Sequence, residues 1–385
     1  MFSTEEFSIL CSEECYNAVK ANIDRKPTDI ALDRRIPHAS IVATQVKNLQ
    51  KARTKLPSYF AVQAIVPTLA YEQSSSEECA ERKQLEGDSV LDLTCGLGVD
   101  SLALSKRFKR VVTLERNEMV AKVARENFRR LGASNIEVVC SSAEEYLATC
   151  TDHFDWCFSD PDRRGEKGEK LVRLEDCSPD VVALMPTLQK IADRICIKCS
   201  PLFDVDEAFR LFGDCTVETV SLGGEAKEVN IYIDGSAPHL KAVAVGIGEI
   251  ASSIEERNSA RWSVQPNDLS QYRYITLPDV ALQHARMVAV AFEGKCDVWS
   301  NNGVALSIEK PEGVLGKTFE VEAIYSIDST FKRVIKGAKA DIYRRDFPMS
   351  NIEICKRYRC SEGGKDRWCF TRIGDNFIAI KMNKI

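Results

Sequence analysis

Four carboxylates and a pair of glycines carry the chemistry this sequence could do. Asp92 stands four residues before Gly96, Gly98 follows, and Asp100 comes two residues later, in the stretch DLTCGLGVDS. Glycine has no Cβ, so at these two points the backbone can turn sharply and let a ligand approach. Glu115 lies 17 residues beyond Gly98, where a carboxylate can accept the protons of both ribose hydroxyls. Asp160 opens the run Asp160-Pro161-Asp162-Arg163-Arg164. The two guanidinium groups there could clamp a phosphate or carboxylate in bidentate fashion, or belong to a solvated charged loop. Lys198, with Ser200 and Pro201 behind it, either reaches the same cleft or decorates a sheet.

These residues need a parallel sheet to bring them together. Val90, Leu91 and Leu93 read as a buried strand that runs into the glycines, and Asp100–Leu104 opens a helix. Its free N–H groups point at the loop. A strand, a glycine turn and a helix in this order form the first βα unit of a doubly wound nucleotide-binding sheet. A dinucleotide fold would want a third glycine, and Ser101 stands in its place. The strand RVVTL ends at Glu115, and the helical spacing of residues 119–132 ends at Gly132. Ile136–Cys140 leads to Ser141-Ser142-Ala143, Phe154–Phe158 delivers Asp160, and Arg194–Ser200 delivers Lys198. Val217–Leu222 and Val229–Ile233 flank Gly223-Gly224, and Lys241–Ile247 follows.

The pattern Asp92-x-x-x-Gly96-x-Gly98, with Glu115 downstream, resembles motif I and its partner acid in the class I S-adenosylmethionine methyltransferases. The resemblance implies an α/β fold with a Rossmann-like seven-stranded sheet, and S-adenosyl-L-methionine as cofactor. Its cofactor shell would be Asp92, Thr94, Gly96, Gly98, Asp100, Glu115, Arg116, Ser142 and Ala143, with Asp92 near the amino-acid end. Ser142 stands where the family often has an Asp on the adenine amino group. Asp160 and Pro161 match the first half of the Asp/Asn-Pro-Pro-aromatic motif of amine-methylating relatives, where they hold the target amine, so they are the expected catalytic pair. Asp162 and Arg163 replace the second proline and the aromatic ring, so the stacking partner does not carry over. Arg163, Arg164 and Lys198 are the expected substrate contacts.

The chain has 385 residues, too many for one ordinary domain. We read four parts: a helical region 1–84, the methyltransferase domain 85–260, a small α/β module of ferredoxin-like type 261–313, and a C-terminal domain 314–385. In the helical region Ser3-Thr4-Glu5-Glu6 is a capping box, Ile41–Ala52 has helical spacing, and Pro57 ends that stretch. Gln73-Ser74-Ser75-Ser76-Glu77 is either a simple N-cap or a segment lying over the cofactor cleft. In the small module Asp279–Met287 is helix-like, while Val288–Phe292 and Val304–Ile308 are strand-like.

Residues 314–385 run strand, Phe347-Pro348 break, helix, Gly363-Gly364 turn and hairpin across Gly374-Asp375-Asn376. This order resembles the THUMP-like domain appended to a group of bacterial methyltransferases, and with EQSSSE, DLTCGLGVDS, SDPDRR, SLGGEAKEV and RRDFP it extends the likeness from about Gln73 to the C-terminus. THUMP domains bind RNA, so the resemblance implies an RNA partner and methylation of a base in structured RNA. The charge agrees: residues 331–385 hold 14 Lys/Arg and 6 Asp/Glu, a local +8 on a body of −13. Arg344, Arg345, Lys356, Arg357, Arg359 and Lys365 could meet phosphates, and Tyr343, Tyr358 and Trp368 could stack on bases. The alternatives are a methyltransferase for a small molecule or protein, and a non-catalytic RNA-binding protein that keeps the cofactor fold.

Fifteen cysteines are unevenly spaced, and Cys196-x-x-Cys199 falls on a strand, where its side chains point to opposite faces. With four histidines and none near a cysteine pair, no metal is expected, and free thiols suit a reducing cytoplasm. The acidic start MFSTEEFSIL lacks the basic region of a signal peptide, and no apolar run approaches the ~18 residues of a membrane span. A cytoplasmic protein with no membrane partner is expected.

Overall fold

The computed structural model of the chain describes residues 3–163, 173–266 and 268–385. Contacts divide it into two units: Met1–Phe203 with Asn230–Ser236, and Asp204–Val229 with Ala237–Ile385.

The first unit opens with helices. Thr4–Cys11 carries the expected capping box between Ser3 and Glu6. The long helix Ala39–Lys55 buries Val42, Val46, Leu49 and Ala52, the three-to-four spacing of one face. Pro57 does not only end that stretch. It occupies the first turn of Pro57–Ala61, where a missing N–H costs nothing. Leu49, Tyr59 and Ile65 share one apolar core with Leu97, Val123 and Phe128 from the sheet-flanking helices and loop. Asn127 ties the two layers by exchanging hydrogen bonds with the Ile65 backbone at 2.8 and 2.9 Å. The N-terminal helices are therefore packed into the same body as the first strands.

Five parallel strands follow: β1 (Gly87–Asp92), β2 (Phe108–Leu114), β3 (Ile136–Val139), β4 (Phe154–Ser159) and β5 (Ala192–Cys199). Their pairings give the order β3-β2-β1-β4-β5. Helices Val99–Ser105, Glu118–Leu131, Ala143–Thr149 and Val181–Ile191 alternate with them. The helix over 118–131 starts on Asn117 and stops at left-handed Gly132, as its sequence signals predict. Because every strand runs the same way, the residues after β1 to β5 gather at one edge.

Strands β6 (Thr216–Leu222) and β7 (Glu225–Ile233) flank the Gly223-Gly224 turn. The run continues past seven: in the second unit β8 (His239–Ala244) pairs parallel with β6, and β9 (Gly248–Ser253) antiparallel with β8. The polar stretch Ala251–Arg261 has the composition of a linker helix; its first residues instead end β9, and the helix is Ile254–Ser259 behind a Ser253 cap.

The rest of the second unit is one mixed sheet. Its strands are β10 (Tyr274–Pro278), β11 (Asp297–Val298), β12 (Ala305–Ser307), β13 (Gly316–Ser326), β14 (Lys339–Arg344), β15 (Ser361–Glu362), β16 (Asp366–Ile373) and β17 (Asn376–Lys384). They lie in the order β11-β12-β10-β13-β17-β16-β14-β15. The segment expected as a separate ferredoxin-like module gives β10, β11 and β12 to this sheet, with β10 paired to β13. Val288–Phe292, read as strand-like, is a helix burying Val288, Ala289, Ala291 and Phe292; a short wholly apolar run has no period that separates the two. The Gly374-Asp375 hairpin forms as expected.

The aromatics proposed for base stacking are corrected. Trp368 and Tyr358 are each only 2% exposed and pack with Phe331 and Phe370 under the helices. Tyr343 is half-buried against Phe319. Trp368 and Tyr343 stand on strands β16 and β14, where alternate residues face the core, and Tyr358 ends the helix Asn351–Tyr358 on its buried face.

Candidate active site

The loop after β1 is built for close approach of a ligand. Gly96 has φ +53° and Gly98 φ +86°, both left-handed. A Cβ on Gly98 would lie 2.4 Å from the Phe128 ring, whereas one on Gly96 would meet nothing within 4 Å. Gly98 thus serves packing, and Gly96 faces an open cradle. The Cys95 amide donates to the Leu114 carbonyl at 2.8 Å, fixing the loop against the end of β2.

Asp92 lies beneath this loop with no exposed surface. Its carboxylate accepts from Ser101 Oγ at 2.5 Å, Thr113 Oγ1 at 2.9 Å and the Thr94 amide at 2.9 Å. Burial pushes its carboxyl up to about 6 against those hydrogen bonds. Asp92 therefore braces the loop from within. Ser101, in the place of a third glycine, is one of its donors.

Glu115 ends β2, half-buried, and accepts from the Gly96 amide at 3.1 Å and the Asn117 amide at 2.8 Å. Burial raises its carboxyl above the usual range, against those amides. Each oxygen keeps acceptor capacity beyond one amide, which suits a ribose diol. Ser142 caps the helix Ala143–Thr149 through a capping box with Glu145, and Ala143 is buried at its start. Thr94 Oγ1 accepts from the Asp160 amide at 2.7 Å, linking the ends of β1 and β4. Arg116, after β2, meets Ser178 Oγ at 3.0 Å and Asp162 at 3.8 Å.

Asp160 and Lys198 meet. Lys198 Nζ lies 2.5 Å from Asp160 Oδ2, 2.6 Å from Ser75 Oγ and 3.4 Å from Asp100 Oδ2. Asp100 also accepts from Ser75 Oγ at 2.6 Å and Lys83 Nζ at 2.8 Å. Burial works to raise Asp100, but the Lys198 and Lys83 ammonium groups overcome it and hold its carboxyl well below the usual range. Burial dominates at Asp160, whose carboxyl is raised although Lys198 pulls it down. Lys83 and Lys198 thus face Asp100 and Asp160, the opposite-charge pairing that buried charges require. Removing one partner from such a set costs roughly 3–5 kcal/mol.

The segment ahead of β1 supplies both a helix cap and a member of this cluster. Ser76 caps the helix Glu77–Arg82, while Ser75 beside it enters the charged cluster. Lys83 is not marked by any motif; its only signal is a cation placed just before β1. Tyr59, fully buried, also supports the loop by donating to the Leu97 carbonyl at 3.1 Å.

Pro161 is buried beside Asp160, and Arg163 is exposed. With Leu174, Cys177, Lys198 and Phe203 they border a shallow hollow that opens to solvent. Arg164 lies outside the described residues. His153, just before β4, pairs with Asp193 at 2.8 Å on the surface.

Residues 90–162 match the family described as a methyltransferase domain, and residues 316–384 match the family described as THUMP domain-like. The chain is 26% identical over 209 residues to an uncharacterized S-adenosylmethionine-dependent methyltransferase of Mycobacterium tuberculosis (strain CDC 1551 / Oshkosh), covering 51% of this chain and 56% of the relative. It is 30% identical over 127 residues to the ribosomal RNA small subunit methyltransferase J of Coxiella burnetii (strain RSA 331 / Henzerling II), covering 29% and 49%. The chain thus spans about half the length of these curated relatives. A crystal structure of a "putative methyltransferase" from Porphyromonas gingivalis W83 superposes with a TM-score of 0.84 at 25% identity, covering 100% of this chain and 99% of that one. The chain accordingly joins an S-adenosylmethionine-dependent methyltransferase domain to a C-terminal THUMP-like domain.

Proposed function

We propose that this protein is an S-adenosylmethionine-dependent methyltransferase that methylates a base in structured RNA. The observation that carries the reading is the convergence of Gly96, Glu115 and Asp160 at one sheet edge. Bound S-adenosylmethionine supplies an already activated methyl group. The chain's own residues then have three tasks. Gly96 leaves room for the cofactor, and Glu115 accepts its ribose hydroxyls. Asp160 orients the acceptor's N–H and takes its proton, a task that its burial-raised proton affinity suits. The Pro161 carbonyl offers a second acceptor for the same amine.

The RNA assignment rests on other observations. The C-terminal segment is THUMP domain-like, a relative is named as a ribosomal RNA methyltransferase, and the tail carries +8. Lys332, Arg333, Lys336, Lys356, Arg357 and Arg359 are all exposed. With Trp368 and Tyr358 buried, such a surface grips phosphates and does not stack bases.

The test offers the protein radiolabelled S-adenosylmethionine with total RNA, total protein and small metabolites in separate reactions. We expect label in RNA, and its loss in Asp160→Ala. Label only in protein or metabolites would support the small-molecule or protein reading. Cofactor binding with no transfer to any pool would leave a non-catalytic RNA-binding protein.

A further inference from the structure

In the cluster behind Asp160 two ammonium groups, Lys83 and Lys198, lie within ion-pair distance of Asp100. Exposure of the side chains rises along it, from 2% at Lys83 through 8% at Lys198 and 13% at Asp100 to 26% at Asp160. Asp160 is its open end, and Lys83 its deepest member. Lys198 stands between two carboxylates and is closer to Asp160, 2.5 Å against 3.4 Å to Asp100. Lys83 meets Asp100 Oδ1 at 2.8 Å, and Ser75 Oγ bridges Lys198 to Asp100 Oδ2. A buried carboxylate without Lys83 would draw the nearest ammonium to itself, and that ammonium is Lys198.

We propose that Lys83 and Ser75 are positioning residues for methyl transfer: Lys83 satisfies Asp100, Ser75 bridges the pair, and Lys198 is thereby left to orient Asp160 toward the acceptor. The segment ahead of β1 thus completes the reaction centre. The inference rests on the reading that Asp160 faces the acceptor. Neither residue touches the reacting atoms. Both act through Lys198.

Among the described residues the groups that bear most on Asp160 are Lys198 from β5, Asp100 from the helix Val99–Ser105 and Lys83 ahead of β1, and Cys199 on β5 feels Asp160 in turn. If Lys83→Met lets Lys198 swing to Asp100, Asp160 loses its nearest cation and ionises less readily. The acidic limb of the kcat profile must then move to higher pH. Simple destabilisation would move no limb.

The experiment uses the full chain, radiolabelled S-adenosylmethionine and total RNA, with S-adenosylhomocysteine affinity as a control for folding. Lys83→Met should lower kcat roughly 10- to 100-fold, shift the acidic limb upward, and leave the control within a few-fold. Lys83→Arg should restore much of the rate. The double variant Lys83→Met/Asp100→Asn should exceed Lys83→Met alone, because a neutral amide in place of the Asp100 carboxylate no longer competes for Lys198. An unmoved limb, or a double variant no better than the single, overturns the inference. Transfer that survives Asp160→Ala would instead overturn the reading beneath it, whatever Lys83 does.

Discussion

At the scale of single residues, the motif's first carboxylate is a brace. Asp92 gives its oxygens to Ser101, Thr113 and Thr94 and has no surface left for a ligand. Its titration has a definite sign. The folded state holds the proton more tightly than the unfolded chain, so stability falls as pH rises from 3.8 to about 6. Over that interval wild type should lose roughly 2–3 kcal/mol relative to Asp92→Asn, measured by urea unfolding at each pH. Parallel curves for the two proteins would contradict this. The position of Asp92 was legible from its spacing to the glycines. Its partners were not, because Ser101 and Thr113 lie 9 and 21 residues away on other elements. Lys83 was illegible for the same reason, since only the fold brings it to Asp100.

At the scale of elements, the glycine loop divides its labour. Gly98→Ala drives a methyl group into the Phe128 ring and strains a left-handed residue, so it should cost roughly 2–5 kcal/mol. Gly96→Ala meets open space and should cost only about 1–2 kcal/mol, yet it should weaken S-adenosylhomocysteine binding by filling the cradle. Thermal unfolding and calorimetry on both variants separate the two roles; equal stability losses would contradict the division. The strands β1 to β5 were legible because each is an apolar run bounded by turn residues. The C-terminal sheet was less so. β11 and β15 have two residues each, too few to show a period, and Val288–Phe292 has no polar residue to mark a face, whereas β12 falls inside the strand-like run Val304–Ile308. The helix Ser329–Ile335, signalled only by its Asp328 cap, also escaped the reading.

At the scale of the whole molecule, the charge distribution is the main functional signal outside the methyltransferase domain. An acidic body carries a basic C-terminal segment, and the aromatics that might have read bases are spent on its core. Binding to RNA should therefore depend steeply on salt. Lys356→Glu with Arg357→Glu should weaken RNA binding, lower the log–log salt slope by about 1–2, and leave S-adenosylhomocysteine affinity intact. An unchanged slope would remove this surface from the RNA path. Among the described residues no helix is long and apolar enough to cross a membrane. The central claim is that one pocket separates its tasks, with Glu115 on the cofactor and Asp160 on the acceptor. Calorimetric titration of S-adenosylhomocysteine into Glu115→Ala and Asp160→Ala tests it most directly. Glu115→Ala should lose about tenfold or more in affinity, about 1.4 kcal/mol, while Asp160→Ala stays within a few-fold of wild type. The reverse pattern, or no binding of S-adenosylhomocysteine to the wild-type chain, would contradict the account.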